Sequence, residues 1–282
     1  MTESQRGGRF YDVPEVRQQY LCRRHGGVTS PNHVMEEPAL LEELGPCVGL
    51  RVLDLGCGDA AIGRILLDAG CRGYLGLDGS VAMVEEARAM LRATSGRVER
   101  MDMEEFAVAR NSVDREALPA APGPLDTEMI FSASGSFDPK MIFAASGAFD
   151  LVVSRLALHY VDDVEAVLAA CHACLAPGGR VVFTVVHPVL TSHDAGTQAA
   201  RTDWVVDDYF VQGPRQRNWL GGTVTWFHRT IEDYVRVLRN TGFSLTSLRE
   251  CAPREDRFKG DLTELERRRR VPLFLLVAGT RT

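Results

Sequence analysis

At 282 residues, 45% hydrophobic and 25% charged, the chain has the composition of a soluble globular protein with one sizeable core. A formal net charge of −6 sets up a field that repels nucleic acid and anionic membrane surfaces. No apolar run approaches the roughly twenty residues of a membrane span, and the polar start Met1–Arg9 lacks a signal-peptide core. A cytoplasmic protein with no nucleic-acid and no membrane partner is expected.

Residues 1–35 read as a polar, loop-like segment whose aromatics Phe10, Tyr11 and Tyr20 could close over a ligand. Pro38–Leu44 follows as a short helix. A buried strand over 50–55 then runs into Gly56-Cys57-Gly58 and a helix over 61–69, a unit that brings bare backbone close to a ligand. Gly56, Gly58 and Ala61 also satisfy Gly-x-Gly-x-x-Ala, a dinucleotide-binding spacing. Charge separates the two readings. Asp54 ends the strand and Asp59 sits in the turn, where both would repel a pyrophosphate and both suit a cationic ligand. S-adenosylmethionine is such a ligand, with a sulfonium, an α-ammonium and no phosphate.

A second strand over 73–77 ends at Asp78, about twenty residues past Gly58, the usual distance for a carboxylate that holds two ribose hydroxyls. Ser80 caps the next helix, Val81–Ala93. A short third strand over 97–101 ends at Asp102, where Asp102 and Met103 could meet an adenine edge and face. From 107 to 148 the chain reads as an insertion. In it Met129–Asp138 is nearly repeated as Met141–Asp150, and Asn111–Asp114 imitates the end of that unit. A tandem duplication would leave one copy without a position in the sheet; a surface loop, a substrate flap and an oligomer contact are its three readings. Strand 149–154, helix 164–174 and strand 180–186 follow. His187–Thr223 is a long irregular stretch, and helix Ile231–Thr241, strand Ser244–Glu250 and strand Leu273–Ala278 close the chain. Arg267–Arg270 reads as a solvated basic run, with an RNA patch as the sharper alternative. Seven cysteines form no disulfide-like framework, and Cys171-x-x-Cys174 is two cysteines on one helix face, so no metal site is expected.

As a set these motifs resemble the class I S-adenosylmethionine-dependent methyltransferases, in particular the small-molecule branch with a Leu-Asp-Leu-Gly-Cys-Gly signature. Leu53–Gly58 carries that signature; Phe149–Ser154, Leu156–Val161 and Leu175–Arg180 match the fourth strand, the segment after it and the turn before the fifth. The likeness spans roughly residues 36–280 apart from the insertion. The main departure is Ala60, where the family most often has a third glycine. The resemblance implies an α/β, doubly wound, mostly parallel seven-stranded sheet, Rossmann-like, with an antiparallel last strand beside the fifth. It implies a methyltransferase domain over 36–282, with a lid segment over about 187–228 and the N-terminal residues 1–35 covering the cofactor site. S-adenosylmethionine would be the cofactor. Asp54, Gly56, Cys57 and Gly58 would surround its methionine part, and Asp78, Gly79, Ser80 and Met83 its ribose. Asp102 and Met103 would meet the adenine, while Tyr20, Arg155 and Leu156 complete the pocket.

Methyl transfer needs alignment, exclusion of water and, for some nucleophiles, a base. Histidine is the natural base near neutral pH. His159 follows the fourth strand, His187 the fifth, and His228 lies just before a helix, so these three are the catalytic candidates; the bland reading of each is a residue that caps or shapes the pocket. Trp204, Trp219 and Trp226, with Tyr160 and Tyr209, are the candidates for substrate contact, unless they merely anchor a long loop. The expected function is methyl transfer to a small-molecule acceptor, a secondary metabolite. The alternatives are a non-catalytic S-adenosylmethionine-binding subunit and an NAD-dependent oxidoreductase. Assembly into a homo-oligomer is left open.

Overall fold

The structure is a computed structural model that describes residues 7–25, 30–112, 137–144, 147–193 and 204–282. Helices α1 (Gly8–Tyr11), α2 (Pro14–His25) and α3 (Glu37–Leu44), the last preceded by a π-helical turn over Asn32–Glu36, precede the first strand. The loop expected here is therefore corrected to helix. Pro14 opens α2, where its missing N–H costs nothing, and Glu15 complements the helix N-terminus. The polar composition of α2 conceals the helix from a reading based on apolar periodicity.

Strands β1 (Arg51–Leu55), β2 (Gly73–Asp78), β3 (Arg97–Arg100), β4 (Phe149–Arg155) and β5 (Leu175–Val186) pair in parallel. The crossovers carry α4 (Ala61–Asp68), α5 (Val81–Met90), α6 (Met103–Asn111), α7 (Met141–Ala144) and α8 (Val164–Cys174). A short helix α9 (Pro188–Thr191), a hairpin β6 (Gly213–Trp219) and β7 (Gly222–His228), and α10 (Ile231–Asn240) come next. Strand β8 (Phe243–Glu250), helix α11 (Leu262–Arg269) and strand β9 (Phe274–Arg281) complete the chain. The seven-stranded sheet has the order β3-β2-β1-β4-β5-β9-β8, with β9 antiparallel to both neighbours. The strand order reverses between β1 and β4. In open α/β sheets ligands bind outside the carboxyl ends of the strands at such a point.

Each face of the sheet has its own core. Phe106, Val167, Leu168, Phe183 and Tyr234 pack on the side of α6, α8 and α10. Leu40, Ile62, Leu66, Tyr74 and Val84 pack on the side of α3, α4 and α5. Burial on both faces is why β1 and β4 carry continuous apolar runs rather than alternation. Arg51 locks the register of β1 against β4: its backbone N–H and guanidinium all donate to Asp150, at 2.7–2.9 Å.

A third cluster joins the N-terminal helices to the hairpin through Phe10, Val16, Leu220, Val224, Tyr160 and Trp226. Full burial of one such side chain stabilises by about 1.5–3 kcal/mol, so this roof is a packed unit. The hairpin corrects the irregular reading of 187–223. Its two-residue turn is Leu220-Gly221, both with positive φ (49° and 77°). A leucine in that conformation is an unusual choice, so the turn carries no Asn-Gly-like signal. Of the insertion, α6 and α7 are described, and Phe143 of α7 packs 5.2 Å from Phe106. The second copy of the repeat, Met141–Asp150, divides between α7 and the start of β4; nearly all of the first copy, 129–136, lies outside the described residues.

Candidate active site

The turn after β1 is built from backbone. Gly56 and Gly58 have φ of 71° and 58°. A Cβ on Gly56 would overlap the Cβ of Ala157 from the segment after β4, whereas one on Gly58 would make only ordinary contacts, with the Tyr20 hydroxyl at 3.5 Å and the Met83 methyl at 3.8 Å. The Gly58 position is thus a cradle that opens toward the cavity. Asp78, at the end of β2, accepts the Gly58 N–H at 2.8 Å on one oxygen and the Ser80 N–H at 2.9 Å on the other. A carboxylate offers about four acceptor positions, so both oxygens keep capacity for a vicinal diol. Asp102 lies beside Gly79, whose lack of a side chain admits it: a Cβ there would overlap the Asp102 carboxylate.

The N-terminal helices clasp this end. Gly8 packs on the Gly79 backbone with no room for a Cβ. Asp12 accepts from the Ser80 hydroxyl at 2.6 Å and from the Ala82 N–H at 3.1 Å, so it caps α5 from a distance of some seventy residues in sequence. Arg24 of α2 pairs with Asp59 at 2.9 Å and donates to the Tyr20 hydroxyl. Buried Arg155 donates to Glu36, which is 0% exposed, and also pairs with Glu37. Thr184 closes this network by donating to the second Glu36 oxygen.

These contacts correct the charge argument made from sequence. Asp59 is neutralised by Arg24 rather than aimed at a ligand. Asp54 does not line the cavity; it accepts a 2.7 Å hydrogen bond from the Tyr74 hydroxyl, and its other oxygen is buried without a partner. Cys57 and Ser80 also stay outside the lining: Cys57 packs toward Gly76, and the Ser80 hydroxyl caps α5 through the Met83 N–H. Burial pushes the Asp54 carboxyl up to about 7 against the opposing effect of the Tyr74 hydrogen bond, and burial likewise pushes Asp78 up to about 6. An acid whose folded pKa lies above its unfolded value of about 3.9 holds its proton more tightly when folded, so stability falls as pH rises from about 4 to about 7. For Asp54 that loss is on the order of 4 kcal/mol. Asp54→Asn keeps an acceptor for Tyr74 and removes the buried charge. Urea unfolding of this variant should show a much smaller stability drop between about pH 5 and about pH 8 than the parent; an undiminished drop would mean that Asp54 is not its source.

A single cavity of about 740 Å³ runs from the glycine turn across the ends of β1, β2, β4 and β5. At the β2–β3 end its wall includes Gly56, Gly58, Asp78, Gly79, Met83, Asp102 and Met103. Tyr20, Arg155 and Leu156 form the middle, with Leu156 held at φ 51°. At the other end stands an aromatic box. His159 and Tyr160 rings lie 4.4 Å apart, Trp226 meets His159 at 5.1 Å, and Trp219 meets Trp226 at 6.1 Å. Tyr11 joins by a 2.7 Å hydrogen bond between its hydroxyl and that of Tyr160. Trp204 lines the same cavity and donates to the Val189 carbonyl at 2.8 Å.

Among the catalytic candidates only His159 faces this cavity. It is 2% exposed and its Nδ1 is buried without a partner. Burial, assisted by the Arg229 guanidinium, drives its pKa down to about 3. His187 is corrected to a structural role: Nδ1 accepts the Val189 N–H to cap α9, and Nε2 lies 3.1 Å from Glu250. His228 is likewise removed from the site, since it is buried between the Thr191 hydroxyl at 2.7 Å and the Tyr209 carbonyl at 2.8 Å. Tyr209 packs against Phe210 and His228 and does not reach the cavity.

Comparison with known proteins agrees with this geometry. The methyltransferase domain family matches residues 29–248. A crystal structure of an S-adenosylmethionine-dependent methyltransferase from Mesorhizobium loti is 31% identical, with a TM-score of 0.67, over 90% of this chain and 100% of that one. The chain belongs to the class I S-adenosylmethionine-dependent methyltransferases. A Listeria monocytogenes structure provisionally placed in the same enzyme class is 26% identical, with a TM-score of 0.66, covering 88% of this chain and 96% of its own. A Haemophilus influenzae protein without an assigned function is 24% identical over 230 residues, 78% of each chain.

S-adenosylmethionine is thus the cofactor, and the methyltransferase has a site that fits it: a glycine cradle that a Cβ would fill, and an acid, Asp78, with acceptor capacity to spare for a vicinal diol. Ligand cavities generally measure about 300–1,000 Å³, and this one falls inside that range. No described helix is long and apolar enough to cross a membrane. Sequence reasoning missed Asp12, Arg24 and Glu36. Each meets its partner across a long stretch of chain, and no local pattern marks such pairs.

Proposed function

We propose that this methyltransferase acts on a small-molecule acceptor, of the kind made in secondary metabolism, seated in the aromatic box. One observation carries the reading: the glycine cradle and the box belong to one continuous cavity, roofed by α1, α2 and the β6–β7 hairpin. A roofed cavity takes a small acceptor and keeps water from the reacting atoms. Flat aromatic walls favour a flat or apolar body.

When bound, S-adenosylmethionine supplies a methyl group already activated on a sulfonium. The chain's own residues then have three tasks. Asp78 fixes the ribose, and Gly56 and Gly58 let the backbone approach the methionine part. The aromatic box orients the acceptor in line with the methyl group. His159 contributes a neutral ring with an unpartnered Nδ1 on the cavity wall. Its pKa of about 3 corrects the expectation of a base tuned near neutrality. The ring suits a hydrogen bond that orients the acceptor. It can take a proton only from a nucleophile made strongly acidic by bond formation to the methyl carbon.

Labelled-methyl transfer to aromatic hydroxyl, amine and carbon acceptors tests the reading; labelled product from none of them, by protein that binds S-adenosylhomocysteine, would overturn it. Once a substrate is in hand, His159→Gln should lower kcat by on the order of 10²-fold with S-adenosylhomocysteine affinity unchanged. Full turnover in that variant would remove His159 from the reaction. A flat pH profile of kcat above about pH 5, measured in the parent at saturating cofactor, would accord with a ring neutral throughout that range.

A further inference from the structure

The cavity continues past the aromatic box. It extends over the carboxyl end of β5 and the start of β9, where Val186, Leu190, Leu273 and Phe274 form an apolar floor. This extension ends at Arg267, Arg268 and Arg270, at the end of α11 and just beyond it. The acids in the cavity wall, Asp78, Asp102 and Glu104, all stand at the opposite, β2–β3 end. Among the described residues no acid lines the extension.

The plain explanation for arginines here is the C-terminus of α11, where cations complement the helix dipole. It does not account for three features. Among the described residues Arg267 and Arg268 share one carboxylate, Glu264, at 3.4 and 2.5 Å, so this pair retains positive charge. Arg268 turns inward, with a side chain 19% exposed and a buried Nε that has no hydrogen-bond partner. Burial and the neighbouring Arg267 both make its charge harder to hold, opposed by Glu264. A cationic group arranged at the cost of mutual repulsion, in a chain of net charge −6, is a feature of local placement and not of composition.

We propose that this extension is a subsite for an anionic oxygen head group of the methyl acceptor, a carboxylate or a phosphate monoester, bound by Arg267 and Arg268. The apolar floor separates the head group from the body in the aromatic box, so the acceptor is an elongated molecule with a flat or apolar part and one acidic end. Guanidinium groups bind such planar or tetrahedral oxyanions through paired N–H donors. This assignment rests on the small-molecule reading of the same cavity.

The test is calorimetric titration of the protein saturated with S-adenosylhomocysteine, using phenyl phosphate, 3-phenylpropionate and the neutral 3-phenylpropanol as probes. At least one anionic probe should bind about tenfold or more tightly than the alcohol, and added salt should weaken that preference. The preference should disappear in R267Q/R268Q, with S-adenosylhomocysteine affinity and thermal midpoint retained. A phosphate-only or carboxylate-only preference identifies the head group. Equal affinity for all three probes, a preference that survives R267Q/R268Q, or no anion binding up to about 10 mM would overturn the subsite. Loss of S-adenosylhomocysteine binding in the parent protein would instead count against the cofactor assignment, so the two failures are distinguishable.

Discussion

Asp78→Ala should lower S-adenosylhomocysteine affinity by about 10²- to 10⁴-fold, read by calorimetric titration. The substitution acts twice. It removes the acceptor for the ribose diol, where each hydrogen bond to a charged group is worth about 1.5–3 kcal/mol. It also strands the Gly58 and Ser80 N–H groups that the two carboxylate oxygens now accept, and so loosens the turn that forms the cradle. Asp78→Asn separates the effects, because an amide has only one acceptor oxygen and must leave one of these N–H groups unmatched. The parent has a further signature. Burial pushes Asp78 up to about 6, and the ionised form is the better diol acceptor. Affinity should therefore fall as pH drops through about 6 and recover above it, while the Asn variant stays flat. Affinity in Asp78→Ala within threefold of the parent would remove Asp78 from the cofactor site.

Gly56→Ala is the second large effect, this time on the fold of the site. Position 56 has φ 71°, a conformation that costs a residue with a Cβ roughly 1–2 kcal/mol. The added methyl would also overlap the Cβ of Ala157, and overpacking of that kind costs about 1–3 kcal/mol. Ala157 cannot swing aside as a long side chain would, since its Cβ is fixed to the backbone that leads into His159. The expected result is a loss of about 3 kcal/mol in unfolding free energy together with weakened S-adenosylhomocysteine binding. Ala60 offers the contrast. It already sits at φ 57°, so Ala60→Gly relieves strain while giving up a buried methyl. Its unfolding midpoint should move by less than about 1 kcal/mol equivalent. A comparable loss at both positions would show that steric contact with Ala157 is not what the glycine at 56 avoids.

The candidate site divides according to how its residues find their partners. Gly56, Gly58, Asp78, Gly79, Asp102 and Met103 lie on consecutive strand ends of one sheet, and their placement follows from local rules. A strand, a tight turn and a helix leave the turn at the sheet edge, and regular crossovers bring the next strand ends beside it. Those rules operate within about twenty-five residues of chain, so they are visible as spacing. The same locality made the parallel sheet, most of its crossover helices and the Ser80 cap readable.

Side-chain direction and pairing follow no such rule. Asp54 belongs to the glycine motif, yet Tyr74 on the neighbouring strand draws it into the core. Asp59 is in the turn itself, yet Arg24 of α2 takes its charge. His187 and His228 sit at strand ends, where histidines could serve chemistry, but Glu250, Thr191 and the Tyr209 carbonyl occupy their nitrogens. His159, by contrast, gains a place on the cavity wall and loses its basicity in the same step, because the packing that buries it also removes water from its charged form. The basic run 267–270 is largely solvated, as its composition suggests, but the fold turns Arg268 inward and sets Arg267 and Arg268 on a cavity wall. Spacing along the chain thus named the backbone cradle and the acid beside it, Asp78, that we assign to the ribose. Which charges remain for a ligand depended on long-range contacts, because a buried ionisable group answers to whatever the fold places within hydrogen-bond reach, however distant in sequence.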